Sequence, residues 1–282
     1  MVAYGVFHRF DLRVKYGIIK GEVLMVISML LQQKNSIIRG LDIKYYQTAD
    51  FDKDDAVVFL HGWGSEAMHF QKILARCKSA VAVDLPGFGK SEVPSTVWAL
   101  DDYVDFVKEF LEKLAIKNPI IAGHSFGGSI GIKYCTAKND AKKLILIGSA
   151  GIRRKTLKKY GLFIVSKIFG FIFSLPGIRV LKGGLRGWLY KLIGAEDYIQ
   201  AGPLAETFRK IVSEDLRDDM RKIHVPTVLI WGADDKDTPI EDGKLMEQLI
   251  RNSQLYIIPD AGHYVFLDNE QKFRELFLAQ IR

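Results

Sequence analysis

Gly123-His124-Ser125-Phe126-Gly127 constrains the fold more than any other stretch of this chain. The apolar run Pro119–Ala122 stands just before it and reads as a buried strand. Gly128–Cys135 follows and reads as the start of a helix. Strand, sharp turn and helix, in that order, are what a nucleophile elbow requires. Such a turn lifts Ser125 off the sheet edge and admits only small residues two positions to either side, here Gly123 and Gly127. The helix then aims its N-terminus at the serine, where partial positive charge favours a developing anion. The same pentapeptide also occurs as a plain turn, so the rest of the chain must decide.

The rest alternates strands and helices. Leu41–Thr48 alternates apolar and polar residues and predicts an exposed early strand. Ala56–Leu60, Ser79–Val83, Lys143–Ile147, Pro226–Trp231 and Leu255–Ile258 read as further strands. Met68–Cys77, Leu100–Leu114, Asp242–Ile250 and Glu270–Ile281 read as helices. Strands apolar on both faces, separated by helices, predict an α/β architecture with a mainly parallel sheet covered on both sides. Sites in such sheets form beyond the strand C-termini. The core is expected in residues 41–147 and 220–282, with a helical insertion at 148–219 and an N-terminal extension at 1–40. The apolar run Gly21–Leu31 falls far short of the ~20 residues that span a membrane. Met25 and Met29 leave two readings of the first two dozen residues, an upstream extension of the true start or a peripheral element.

Composition narrows the class. The chain has 282 residues, 48% of them hydrophobic, enough for one domain with an elaboration. Cys77 and Cys135 are the two cysteines and form neither a metal nor a redox spacing, so a reducing cytoplasm is the expected compartment. The net charge of +7 is uneven: Gly151–Ala195 holds ten Lys and Arg, no Asp or Glu, and leaves the remainder at −3.

A serine hydroxyl needs a base to take its proton and an acid to orient that base. His263, in Asp260-Ala261-Gly262-His263, follows the strand Leu255–Ile258 and is the candidate base. The acid should follow the preceding strand, where Asp234, Asp235 and Asp237 compete. Serine, aspartate and histidine then stand in the chain order of nucleophile-elbow hydrolases. One oxyanion donor is expected from the backbone N–H of Phe126, the residue after the nucleophile. Gly89-Lys90-Ser91 mimics the end of a phosphate-binding loop, but Asp84 occupies the position that needs the first glycine. No H-E-x-x-H or similar spacing predicts a metal, and no cofactor is implied.

Five segments in order carry a resemblance. They are His61–Gly64, Asp84–Ser91, Gly123–Gly127, Trp231–Pro239 and Gly262-His263. With these the chain resembles the α/β-hydrolase superfamily from about Leu41 to the C-terminus, as a capped serine hydrolase of carboxylesterase type. The resemblance implies a cap inserted after the sixth strand, selects Asp235 through W-G-x-x-D, and makes the Trp63 N–H the second oxyanion donor. It also implies that His61 bonds loop backbone. Ser125 sets the chain apart from the dehalogenases and epoxide hydrolases it resembles, which use Asp there.

The expected activity is hydrolysis of a carboxylic ester or thioester with an apolar acyl group through an acyl-enzyme. Acyl transfer, perhydrolysis, carbon–carbon bond hydrolysis and a slow hydrolase-like receptor are the alternatives. Trp63, His124, Phe163, Phe169 and Phe173 are candidate substrate contacts, although the aromatic block Tyr160–Leu175 serves equally to pack the insertion onto the sheet. Its basic surroundings predict an anionic carrier or an acidic membrane surface as partner. Nucleic acid is not expected, because the aromatics cluster instead of interleaving with polar residues.

Overall fold

The computed structural model describes residues 31–137, 140–153 and 202–282. These fall into two compact units: Arg153 with 202–213, and 31–152 with 214–282. Among the described residues eight strands form one sheet: β1 Leu31–Ile38, β2 Leu41–Thr48, β3 Val57–Leu60, β4 Ala80–Val83, β5 Ile120–His124, β6 Lys143–Ile147, β7 Thr227–Gly232 and β8 Ser253–Ile258. The helices are α1 Gln71–Leu74, α2 Leu100–Lys113, α3 Phe126–Ala137, α4 Ala205–Ile211, α5 Arg217–Met220, α6 Ile240–Leu249, α7 Val265–Asp268 and α8 Glu270–Gln280.

The sheet runs β1-β2-β4-β3-β5-β6-β7-β8. β1 and β2 pair antiparallel, β2 meets β4 antiparallel, and every later pairing is parallel. The short strands Val-Val-Phe-Leu of β3 and Ala-Val-Ala-Val of β4 are buried at every position. Such strands lack alternation because helices cover both faces. On one face Phe59 stacks at 5.3 Å on Phe277 of α8 and meets Phe70, tilted, at 5.1 Å. α2 buries Tyr103, Phe106 and Phe110, while its Lys, Glu and Asp side chains lie along the other flank. Asp102 Oδ2 accepts from the Ala99 N–H at 2.8 Å and closes the start of α2. Burying each such aromatic contributes roughly 1.5–3 kcal/mol.

Three expectations need correcting. Residues 31–38, assigned to an N-terminal extension, are β1 of the sheet, in register from Leu31↔Thr48 to Ile38↔Leu41. β2, expected to be exposed, is mostly buried, because β1 and β4 flank it. Met68–Cys77 is not one helix: a 3-10 turn at Ala67–Phe70 leads into α1. Of the expected insertion at 148–219, the described part is 148–153 and 202–219, with α4 and α5. Residues 154–201 lie outside the described residues, as does the segment 1–30.

The strand order reverses direction at β3. From there the chain moves outward to β4 and then back past β3 to β5. The crevice above such a switch point is where ligands bind in open parallel sheets. The loops that leave β3 and β5 are His61–Gly64 and the turn at Ser125.

Candidate active site

Ser125 has φ +51°, a left-handed conformation that a serine adopts only when its surroundings force it. Its N–H bonds Ile147 O of β6 at 3.1 Å, and its carbonyl accepts from Gly128, Ser129 and Ala150 N–H groups. The turn is thereby fixed to the neighbouring strand and to the first turn of α3. A Cβ on Gly127 would stand 2.1 Å from Leu60 O, and one on Gly123 would stand 2.4 Å from Gly127 O. Even alanine cannot enter without moving backbone, which is the physical content of the small residues around the serine. The first N–H groups of a helix have no partner within it, and Phe126 begins α3.

His61 is fully buried and shapes the loop after β3. Its Nε2 accepts the Leu85 N–H at 2.9 Å, and its Nδ1–H donates to Gly62 O at 2.8 Å. The Trp63 ring meets Phe88 at 4.8 Å and Phe126 at 5.6 Å, so the loop stands against the elbow through aromatic packing. Asp84 accepts from the Ala67 and Lys90 N–H groups. The Gly89-Lys90-Ser91 turn therefore folds around its own carboxylate.

Asp235 follows β7, and its Oδ2 lies 2.9 Å from His263 Nδ1. Its Oδ1 accepts from the Asp237 and Thr238 N–H groups, both at 2.9 Å. The Thr238 hydroxyl lies 2.9 Å from Asp235 Oδ2, 3.0 Å from Gly148 O and 3.2 Å from His263 Nδ1. Burial works against the Asp235 charge, but the His263 bond and charge and the Thr238 donors outweigh it and lower the pKa. An ionised Asp235 holds the proton of His263 on Nδ1 and leaves the Nε2 lone pair as the basic one. Asp234 and Asp237 donate no oxygen to this bond. Thr238 escaped the sequence reading; its signal was a hydroxyl three residues after the acid, just before Pro239. Asp235, Asp237 and His263 hold donor atoms within 4.8 Å of one another, but both Asp235 oxygens are already committed to protein donors.

His124, expected to pack or to stand at a pocket edge and offered as a substrate contact, is 1% exposed. Its Nε2 lies 3.0 Å from His263 O, and its Nδ1 has no hydrogen-bond partner among the described residues. An unpaired buried nitrogen costs about 1–3 kcal/mol. Phe163, Phe169 and Phe173 lie outside the described residues.

Burial pushes His61 down to about 3, with repulsion from His69 adding to it and the Gly62 carbonyl opposing. His124 is lowered well below 6.5 by burial first and by His263 next. Below pH 6.5 the unfolded chain protonates both residues while the folded chain does not, so stability falls as pH falls through that window. Thermal unfolding should show this as a loss of about 1.4 kcal/mol per pH unit for each histidine. A melting temperature that stays level from pH 6.5 to 5 would contradict the buried neutral state.

A mainly parallel sheet with a strained serine at the switch point and a histidine–carboxylate pair on the loops after β7 and β8 defines an α/β-hydrolase fold. The alpha/beta hydrolase family model matches residues 57–276, and the chain belongs to that family of enzymes. It is 28% identical over 243 residues to the AB hydrolase superfamily protein YisY of Bacillus subtilis, covering 78% of this chain and 89% of that one. It is 26% identical to the 2-hydroxy-6-oxo-6-(2'-aminophenyl)hexa-2,4-dienoic acid hydrolase of Metapseudomonas resinovorans, over 85% and 87% of the two chains. A crystal structure of a bacterial membrane phospholipase A superposes with a TM-score of 0.72 at 20% identity, covering 92% and 88%. No helix among the described residues is long and apolar enough to cross a membrane.

Proposed function

We propose that the protein hydrolyses a carboxylic ester or thioester with an apolar acyl group, through an acyl-enzyme on Ser125. The observation that carries this reading is the 2.9 Å bond from His263 to a buried carboxylate, on the same sheet edge as a serine at φ +51°. In the first half-reaction Ser125 Oγ attacks the acyl carbon while its proton passes to His263 Nε2. The oxyanion that forms is held by the N–H groups of Trp63 and Phe126. Collapse breaks the bond to the alcohol or thiol, which leaves with the proton from His263. Water then attacks the acyl-enzyme, gives its proton to His263, and frees the acid as Ser125 regains its hydrogen.

The aromatic wall of Trp63, Phe88 and Phe126 supports an apolar acyl group. Residues 148–219 serve as the cap in this reading, and their basic charge favours an anionic carrier or an acidic membrane surface. Carbon–carbon bond hydrolysis is the second reading, supported by the named activity of the Metapseudomonas relative.

The test is turnover of p-nitrophenyl esters from acetate to palmitate, beside a 2-hydroxy-6-oxodienoic acid, with fluorophosphonate labelling of Ser125. Serine-dependent ester turnover with a chain-length optimum is the expected result. Turnover of the dienoate alone would favour the second reading. A chain that neither turns over esters nor takes the label on Ser125 would overturn the proposal.

A further inference from the structure

His124 is the residue in the site whose geometry the proposed reaction does not use. It belongs to β5, immediately before the nucleophile, yet its ring turns toward the base. Its centroid lies 4.7 Å from that of His263, 5.1 Å from Tyr264 and 5.1 Å from Phe266. A carbonyl only accepts, so the 3.0 Å contact to His263 O makes Nε2 the protonated nitrogen of His124. Nδ1 is then left as a buried lone pair facing Gly62, where a Cβ would stand 3.0 Å away. A phenylalanine or leucine would fill this space without leaving a nitrogen unpaired, so packing alone does not account for a histidine here.

The loop that carries the base is held at three successive residues. Ala261 O accepts the Asp234 N–H at 2.9 Å, and the Gly262 N–H reaches Asp268 Oδ2 at 3.0 Å. The third hold is His124 on the His263 carbonyl. The first two tie the loop to the acid loop and to α7; the third ties it to the nucleophile's own strand. Ser125 and His263 arrive from different strands, so their separation depends on such a cross-link. A misplacement of about 1 Å between reacting groups costs up to about 10²-fold in rate.

We infer that His124 is a positioning residue: by donating Nε2–H to the backbone carbonyl of His263, it sets the base against the nucleophile beside it. The inference rests on the proposed Ser125–His263 reaction.

The test compares His124→Leu, which fills the space without a donor, with His124→Gln, whose amide nitrogen reaches the position of Nε2. The leucine variant should melt no lower than the parent and lose about 10²-fold in kcat, with KM within a few-fold. The glutamine variant should recover to within about 10-fold of the parent. His124→Asn, whose amide stops short of the carbonyl, should behave as leucine does and replaces it if the leucine variant does not fold. Parental kcat in the leucine variant, or glutamine no faster than leucine or asparagine, would overturn the inference while leaving Ser125 labelled and the proposed reaction standing. Failure of the parent itself to label at Ser125 would remove both.

Discussion

Replacing Ser125 by alanine should lower kcat by on the order of 10⁶-fold and leave the fold intact. The size follows from what is removed: without Oγ no acyl-enzyme forms, and His263 has no proton to take. The fold should survive because the elbow is set by backbone. The Ser125 N–H, its carbonyl and the glycines around it make the contacts to Ile147, Gly128 and Leu60. Alanine meets the positive φ with the same Cβ that serine carries, so the strain at φ +51° changes little. A melting temperature within a few degrees of the parent, together with loss of fluorophosphonate labelling, is the expected pair of readouts. More than about a tenth of parental turnover in a clean preparation would show that the serine is not the nucleophile.

The elbow was readable because its chemistry is local. A strand, a glycine-flanked turn and a helix all fall within a few residues, and each glycine is required by a backbone contact. The parallel strands were readable for the same reason, since Val57–Leu60 and Ala80–Val83 are apolar throughout. β1 was missed because Gln32, Gln33, Lys34 and Asn35 interrupt any apolar pattern, and only the pairing with β2 makes that segment a strand. An edge strand carries little signal of its own, because one side of it faces solvent. Among Asp234, Asp235 and Asp237, residue type alone distinguishes nothing, and the W-G-x-x-D spacing of the resemblance singled out Asp235; the physical reason is the path of the chain after β7, which turns that carboxylate toward His263 and wraps its own N–H groups around the other oxygen. Thr238 and His124 act through contacts to Gly148 and to the His263 backbone, which lie 90 and 139 residues away. Periodicity does not reach such partners, and the one local trace, a hydroxyl three residues after Asp235, marks the Thr238 position without its contacts.

The Asp235→Asn variant should lose about 10⁴-fold in kcat, more than simple loss of a charge in water would suggest. The reason lies in the two oxygens. Oδ1 accepts N–H groups from Asp237 and Thr238, so the asparagine must keep its own oxygen there and turn its amide nitrogen toward His263. That nitrogen donates, so His263 Nδ1 must accept, and the ring proton moves to Nε2. Nε2, the nitrogen that takes the Oγ proton in the proposed reaction, is then already protonated and cannot take it. Thr238 cannot reverse this, because its hydroxyl sits between Gly148 O and the same pair of groups. The fold should hold, since the amide is isosteric and keeps the backbone bonds. Asp234→Asn and Asp237→Asn should stay within a few-fold of the parent, because neither side chain accepts the His263 proton. The three variants should be assayed together on one ester. Equal losses at all three positions, or an Asp235→Asn enzyme with a tenth or more of parental kcat, would show that Asp235 does not orient the base.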